Sequence, residues 1–205
     1  TFKRVKIGIH CHDDLGLAVA NTIAAVDAGA THIQGTFLGF GERCGNCNLV
    51  TAILDLQLKK GYNILPEDSI KKFTDTARRI AEITNVRLPK NTPYVGKAAF
   101  MHKGGMHGDG VMKYSPAFEH IDPSVVGNER SFPISEVAGR AIFLKKAQDV
   151  LPDVPLDKEQ SEALLKKLKE MEMQGYQFGG ADASFNLFVK KAINLLPEFF
   201  RAEEY

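Results

Sequence analysis

His10, Cys11 and His12 follow a short apolar run, and on an extended segment residues two apart turn to the same face. Their two imidazoles therefore converge. Imidazole binds several divalent metals, and two histidines leave other positions for carboxylate, water and substrate, as a catalytic site requires. Two ligands do not specify a site, however, and the same pair suits two ordinary histidines at a strand end. A second polar group comes from Gly39-Phe-Gly-Glu-Arg-Cys-Gly-Asn46, which offers Glu42, Arg43 and Asn46 on a glycine-rich turn. Glu42 and Arg43 can also simply pair with each other across that turn. Glycines at 39, 41 and 45 miss the dinucleotide fingerprint by one residue. Cys44 and Cys47 form a C-x-x-C, but the further thiolates or imidazoles of a structural zinc site are not evident, so two reduced thiols are expected.

The elements that must position these residues are two β/α units. Val5 to His10 reads as a strand, with Asp14 capping a helix that runs through Leu17, Ala20, Ile23, Ala24 and Ala28 to Gly29. Thr31 to Leu38 reads as the next strand, followed after the glycine turn by a helix from Leu49 to Lys60 that stops at Gly61. Strand, helix, strand, helix at this spacing implies parallel pairing. The fold class is α/β, the carboxyl-terminal part of a TIM (β/α)8 barrel followed by a mostly helical subdomain. A closed barrel needs eight units and about 250 residues, so the chain is expected to begin part-way through such a fold. Residues 1–61 would be the last two β/α units, with the histidine pair and the glycine turn both at the carboxyl mouth where barrels build active sites. Residues 62–205 would be a helical linker and mobile subdomain region. There, Pro66 to Thr84 is an amphipathic helix with Ile70, Phe73, Ala77, Ile80 and Ala81 on one face. Val86 to Pro133 reads as irregular structure with short helices. Further helices are expected at Ser135 to Val150, Leu156 to Met173 and Asp182 to Leu196, punctuated by prolines at 152, 155 and 197.

The bulk numbers favour small-molecule chemistry. The 205 residues are 44% hydrophobic, enough for a real core, and 26 basic side chains nearly cancel 25 acidic ones. That balance gives no electrostatic case for nucleic acid or an anionic membrane surface. No run approaches the roughly 20 apolar residues of a membrane span, and no signal peptide opens the chain. Three cysteines are too few for a secreted disulfide framework. A cytoplasmic location is expected.

Ile7-Gly-Ile-His-Cys-His-Asp-Asp-Leu-Gly-Leu-Ala-Val-Ala20 followed by Gly-Glu-Arg-Cys-Gly-Asn46 resembles the second half of the catalytic barrel in the 2-isopropylmalate, homocitrate and citramalate synthase family. These are metal-dependent acyl-CoA condensing enzymes. The resemblance continues through Phe100-Met-His-Lys-Gly-Gly-Met-His107 and His120-Ile-Asp-Pro-Ser-Val-Val-Gly-Asn-Glu-Arg130. It implies that His10, His12 and Asn46 bind a divalent metal (Mg, Mn or Zn), with Asn46 acting directly or through water. Glu42 would support them by hydrogen bonding to the groups around the metal. His107 matches a histidine in a mobile segment that reaches an active site, often a neighbouring protomer's, and is the candidate acid/base; on spacing alone it is a solvated loop histidine. Asp109 and Tyr114 are its neighbours. The implied reaction joins acetyl-CoA to a 2-oxo acid: the metal polarises the keto group, a base takes a methyl proton, the enolate attacks, and hydrolysis of the thioester releases CoA. An aspartate ligand and a substrate-binding arginine, both from the family's first strand, have no match before Val5, so this chain alone is expected to be inactive. A homodimer is the expected assembly.

Phe178-Gly-Gly-Ala-Asp-Ala-Ser-Phe185 and Gly127-Asn-Glu-Arg130 look most like the citramalate synthases, which use pyruvate on a route to isoleucine. The rivals are 2-isopropylmalate synthase on the leucine route, homocitrate synthase, and a lyase of the 3-hydroxy-3-methylglutaryl-CoA type in which a loop cysteine such as Cys44 is catalytic. A non-catalytic interaction module built on the apolar faces of the last two helices is a further alternative.

Overall fold

The computed structural model describes residues 4–103, 105–133, 140–178 and 181–196. They form two compact units, one of residues 1–100 with 123–129 and one of residues 101–122 with 130–205.

The first unit opens with strand β1 (Gly8–His10), helix α1 (Ala18–Asp27) and strand β2 (His32–Gln34). The strands pair in parallel, in the register Gly8 to His32, Ile9 to Ile33 and His10 to Gln34. Both are shorter than the apolar runs suggest. Beyond β2 the chain tightens into a turn at Phe37–Gly39 in which Leu38 has φ 66°, and the Thr36 hydroxyl is bonded to the Phe40 carbonyl at 2.5 Å. The start of α1 corrects the expected cap. Asp13, not Asp14, accepts from the Ala18 N–H at 2.8 Å, and Asp14 is engaged elsewhere. Gly29 and Gly61 do end helices, at φ 107° and 77°, a left-handed backbone that side-chain-bearing residues rarely adopt.

Helix α2 (Leu49–Leu54) is capped by the Asn48 side chain, which accepts from Val50 N–H at 3.0 Å, and it widens into a π-helical turn at Asp55–Lys59. The single helix expected from Pro66 to Thr84 is two, α3 (Glu67–Ile70) and α4 (Phe73–Thr84). Gly127, at φ 71°, packs on this break, so close to the Lys71 carbonyl that a Cβ would sit 2.1 Å from its oxygen. The expected apolar face is nonetheless buried, through Ile70, Phe73, Ala77 and Ala81. Packing does not separate at Gly61. Phe73 stacks on Phe37 with ring centroids 5.5 Å apart, and the Tyr94 hydroxyl donates to Asp55 at 2.5 Å, so α4 and residues 86–100 belong with the β/α units. Burial and that carboxylate together push the Tyr94 hydroxyl's pKa upward. Residues 123–129 are tied in by Asn128, whose buried amide donates to the carbonyls of Tyr94 (2.8 Å) and Gly96 (3.0 Å).

The second unit contains α5 (Gly105–Lys113), α6 (Arg140–Val150), α7 (Lys158–Met173) and α8 (Asp182–Ala192). The first residues of the helix expected from Ser135 lie outside the described residues, as do Gly179 and Gly180. Asp157 and Gln160 form a reciprocal capping box on α7. Phe143, Ala147, Leu164, Leu168, Phe185 and Val189 from α6, α7 and α8 pack into one core, so the apolar faces of the last two helices are covered within the chain. Beside α5 sits a buried charge cluster. The Glu119 carboxylate accepts from His102 Nε2 at 2.8 Å and from Arg130 Nε at 2.8 Å and Nη2 at 2.5 Å.

Two stability outcomes follow. Asn128→Ala leaves the Tyr94 and Gly96 carbonyls without their donor and is expected to cost about 1–3 kcal/mol in urea denaturation. In the second unit, burial alone would raise the Glu119 carboxyl's pKa, but the bonds from Arg130 and His102 outweigh it and hold it below the ordinary value. A carboxyl lowered in the folded state stabilises above its ordinary range, and that contribution disappears as pH falls through the lowered value. Melting temperature should therefore drop in acid. Glu119→Gln, which cannot titrate, should show a flatter acid limb and a neutral-pH loss of about 3 kcal/mol.

Candidate metal centre

Directly after β1, Cys11 turns inward and packs with Ala18, Cys47 and Ala52. His10 and His12 lie on the other side. Their ring centroids are 5.3 Å apart at 73°, an edge-on approach that places both imidazoles at one spot. The glycine turn is fastened to this strand end by backbone bonds, from Asp13 N–H to the Gly45 carbonyl and from Cys47 N–H to the Cys11 carbonyl, both 2.9 Å. Between them His12 and Asn46 form an antiparallel bridge. The turn can fold this tightly because of two glycines. A Cβ on Gly45 (φ 90°) would lie 2.1 Å from the Gly39 oxygen, and one on Gly41 would lie 2.4 Å from Asn46 Nδ2.

Asn46 Nδ2 donates to the Phe40 carbonyl at 2.9 Å, which fixes the amide's orientation. Its Oδ1 is buried and has no hydrogen-bond partner. A buried acceptor left unmatched costs about 1–3 kcal/mol, so the arrangement calls for a partner that the chain does not supply. Two imidazoles and an amide oxygen are donor types suited to a divalent cation. Among the described residues no three His, Cys, Asp or Glu side chains gather into a metal-binding group. What the chain offers is two imidazoles and one amide.

The rest of the turn differs from expectation in its pairing. Arg43, at φ 57°, directs its guanidinium to Asp14, with Nε to Oδ1 at 2.8 Å and Nη2 to Oδ2 at 3.0 Å, and this pair holds the Asp14 carboxyl below its ordinary pKa. Glu42 also pairs with Arg43, as expected, but more loosely, at 3.7 Å from Nη1 and with its side chain 88% exposed. Cys44 is exposed and Cys47 is buried, and both are free thiols. Burial raises the Cys47 thiol's pKa, although the Thr22 hydroxyl donates to its sulfur at 3.2 Å. A buried thiol whose pKa is raised is a poor nucleophile.

His107 belongs to the second unit, on α5, where it is exposed and its ring lies 5.5 Å from that of Phe118. Asp109 accepts from Lys113 at 2.6 Å, and Tyr114 is exposed. The same unit holds a cavity of about 670 Å³ lined in part by Lys113, Arg130, Lys145 and Lys146. Three of these cations are already paired with carboxylates, Lys113 with Asp109, Arg130 with Glu119 and Lys146 with Asp182. Sequence reasoning missed the Asp14–Arg43 pair and the Glu119 cluster; the only trace of either was the run of charged residues inside the quoted motifs.

Comparison with known proteins adds an independent line. A family model described as HMGL-like matches residues 1–85, and one described as homocitrate synthase post-HMGL domain-like matches residues 94–176. The chain is 42% identical to the (R)-citramalate synthase of Aquifex aeolicus over 204 residues, covering 100% of this chain and 39% of that protein. It is 45% identical to the (R)-citramalate synthase of a Synechocystis species over 193 residues, covering 93% and 35%. Against the 2-isopropylmalate synthase of Pyrococcus abyssi the identity is 37% over 171 residues, covering 82% and 35%. The chain thus spans little more than a third of the length of these relatives. With both family models matched in succession, the chain belongs to the family of 2-isopropylmalate, homocitrate and citramalate synthases.

Proposed function

We propose that the chain is part of an acyltransferase that condenses acetyl-CoA with pyruvate to give citramalate, acting at a divalent metal held by His10, His12 and Asn46. The observation that carries this reading is the unmatched oxygen of Asn46, a residue bridged through its backbone to His12, whose ring lies edge-on to that of His10. The two strands would be members of a TIM barrel, which the HMGL-like match supports. The exposure of Val5 (62%) and Ile7 (55%) agrees, since parallel sheets are ordinarily covered on both faces. Among the described residues no helix is long and apolar enough to cross a membrane. The family resemblance implies a cytoplasmic homodimer.

When bound, the metal supplies Lewis acidity toward the keto group of the 2-oxo acid. The chain's own residues do the rest of what can be assigned here. His10 and His12 present their imidazoles together, and Asn46 commits its Nδ2 donor to the Phe40 carbonyl, which leaves its oxygen as the unmatched acceptor. Glu42, on the rim of the same turn, supplies hydrogen bonds to the groups around the ion. His107 moves the proton: the acetyl methyl group loses one, its carbon bonds to C2 of pyruvate, the new alkoxide is protonated, and water cleaves the thioester to release CoA. A second reading, 2-isopropylmalate synthesis from 2-oxoisovalerate, is favoured by relatives of that name at 36% and 37% identity.

CoA release by the intact protein carrying this chain, measured with Mn2+ and each of pyruvate, 2-oxoisovalerate and 2-oxoglutarate, is expected to show the highest kcat/KM with pyruvate. Preference for the branched acid would replace citramalate by 2-isopropylmalate, and no release with any acid would end the synthase reading. His107→Gln is expected to lower kcat about 10²- to 10⁴-fold, as loss of a general acid/base does, while leaving Mn2+ affinity unchanged.

A further inference from the structure

Arg43 stands in the left-handed region at φ 57°, in a turn where glycines occupy positions 41 and 45. Glycine adopts that conformation without the crowding a Cβ brings. An arginine there needs a reason. Net stabilisation by its ion pair is a weak one, because the Arg43 and Asp14 side chains are 55% and 45% exposed and solvent screens such pairs. What the pair has is direction. Two parallel bonds, Nε to Oδ1 and Nη2 to Oδ2, fix the angle between the partners as well as their separation.

The positions joined are telling. Asp14 lies two residues beyond His12, and Arg43 three residues before Asn46. Backbone bonds at Asp13, Gly45, Cys11 and Cys47 fasten the base of the turn to the strand end. Its tip, residues 42–44, reaches the segment after His12 through the guanidinium of Arg43. We propose that Asp14 and Arg43 are positioning residues for a divalent cation: their fork sets the turn so that the Asn46 amide oxygen stays with the imidazoles of His10 and His12. Neither residue is a ligand. The inference rests on the metal reading of those three side chains, and the test separates the two.

Mn2+ is titrated into the intact protein carrying this chain, with free Mn2+ read by electron paramagnetic resonance, and melting of the metal-free protein is recorded alongside. Arg43→Gly relieves the left-handed backbone, so the metal-free melting temperature should hold or rise. It also removes a positive charge near the site, and the relief of Coulomb repulsion alone would tighten cation binding. Positioning predicts the opposite sign, a Kd for Mn2+ raised by about tenfold or more. Arg43→Lys, which keeps the charge and loses the fork, and Asp14→Asn should weaken binding in the same way. Should Arg43→Gly fail to fold, Arg43→Lys decides by the same criterion. Unchanged or tighter Mn2+ binding in these variants, or weakening that merely tracks a lower melting temperature, overturns the inference. His12→Ala distinguishes the levels: if it abolishes binding while the Arg43 variants do not weaken it, only the positioning role fails. If His12→Ala binds Mn2+ like the unmodified protein, the metal reading fails and the inference with it.

Discussion

Two backbone hydrogen bonds, from Asp13 to Gly45 and from Cys47 to Cys11, tie the end of one strand to the turn that follows the next, and the arrangement of the candidate metal centre depends on them. The parallel pairing of β1 and β2 alone leaves the two strand ends side by side without specifying what lies above them. The added bonds fold the glycine turn back against the first strand end, which puts Asn46 beside His12. Main-chain bonds suit this task because their geometry is set by the backbone and not by rotamers. Side chains can then be chosen for chemistry.

The alternation of residue types at this end of the fold follows from that constraint. Cys11 and Cys47, the two residues joined by a main-chain bond, bury their thiols against Ala18 and Ala52, while the flanking His10, His12 and Asn46 turn the other way. Small apolar side chains on the inner face let α1 and α2 approach the strand ends closely. The cost of the tight turn appears as left-handed residues at 39, 43 and 45 and as one buried oxygen without a partner. Strain and an unmatched acceptor in one short stretch are common where a site has been organised ahead of its ligand.

Periodicity and punctuation revealed the β/α units, the glycines that stop the helices, the apolar face of α4 and the imidazole pair, because all of these are local. What escaped was decided by residues distant in the chain. Asp13 and Asp14 are chemically identical neighbours, and only the position of Arg43, 29 residues on, sends one to the helix and the other to the guanidinium. The break between α3 and α4 is where Gly127 packs on the Lys71 carbonyl, a contact that no pattern in residues 66–84 records. Glu119 gathers His102 and Arg130 from irregular segments that have no period to read.

The two candidate chemistries are held by different kinds of interaction, and the difference suits their tasks. A metal centre needs several donors kept close to one point, and the first unit provides this with main-chain bonds whose lengths leave little freedom. A proton-transfer residue needs access and some latitude, and His107 is an exposed side chain on a nine-residue helix. Its surroundings are fixed one layer back. Phe118, against whose ring His107 lies, precedes Glu119, and Glu119 accepts three short bonds from two cationic or imidazole side chains in a buried setting. Apolar residues could fill that space with comparable stability, but they would not fix direction as a carboxylate with matched donors does. Exposure at His107 and the matched hydrogen bonds at Glu119 are thus complementary: the imidazole is open to solvent, and the segment behind it is tied by side-chain bonds.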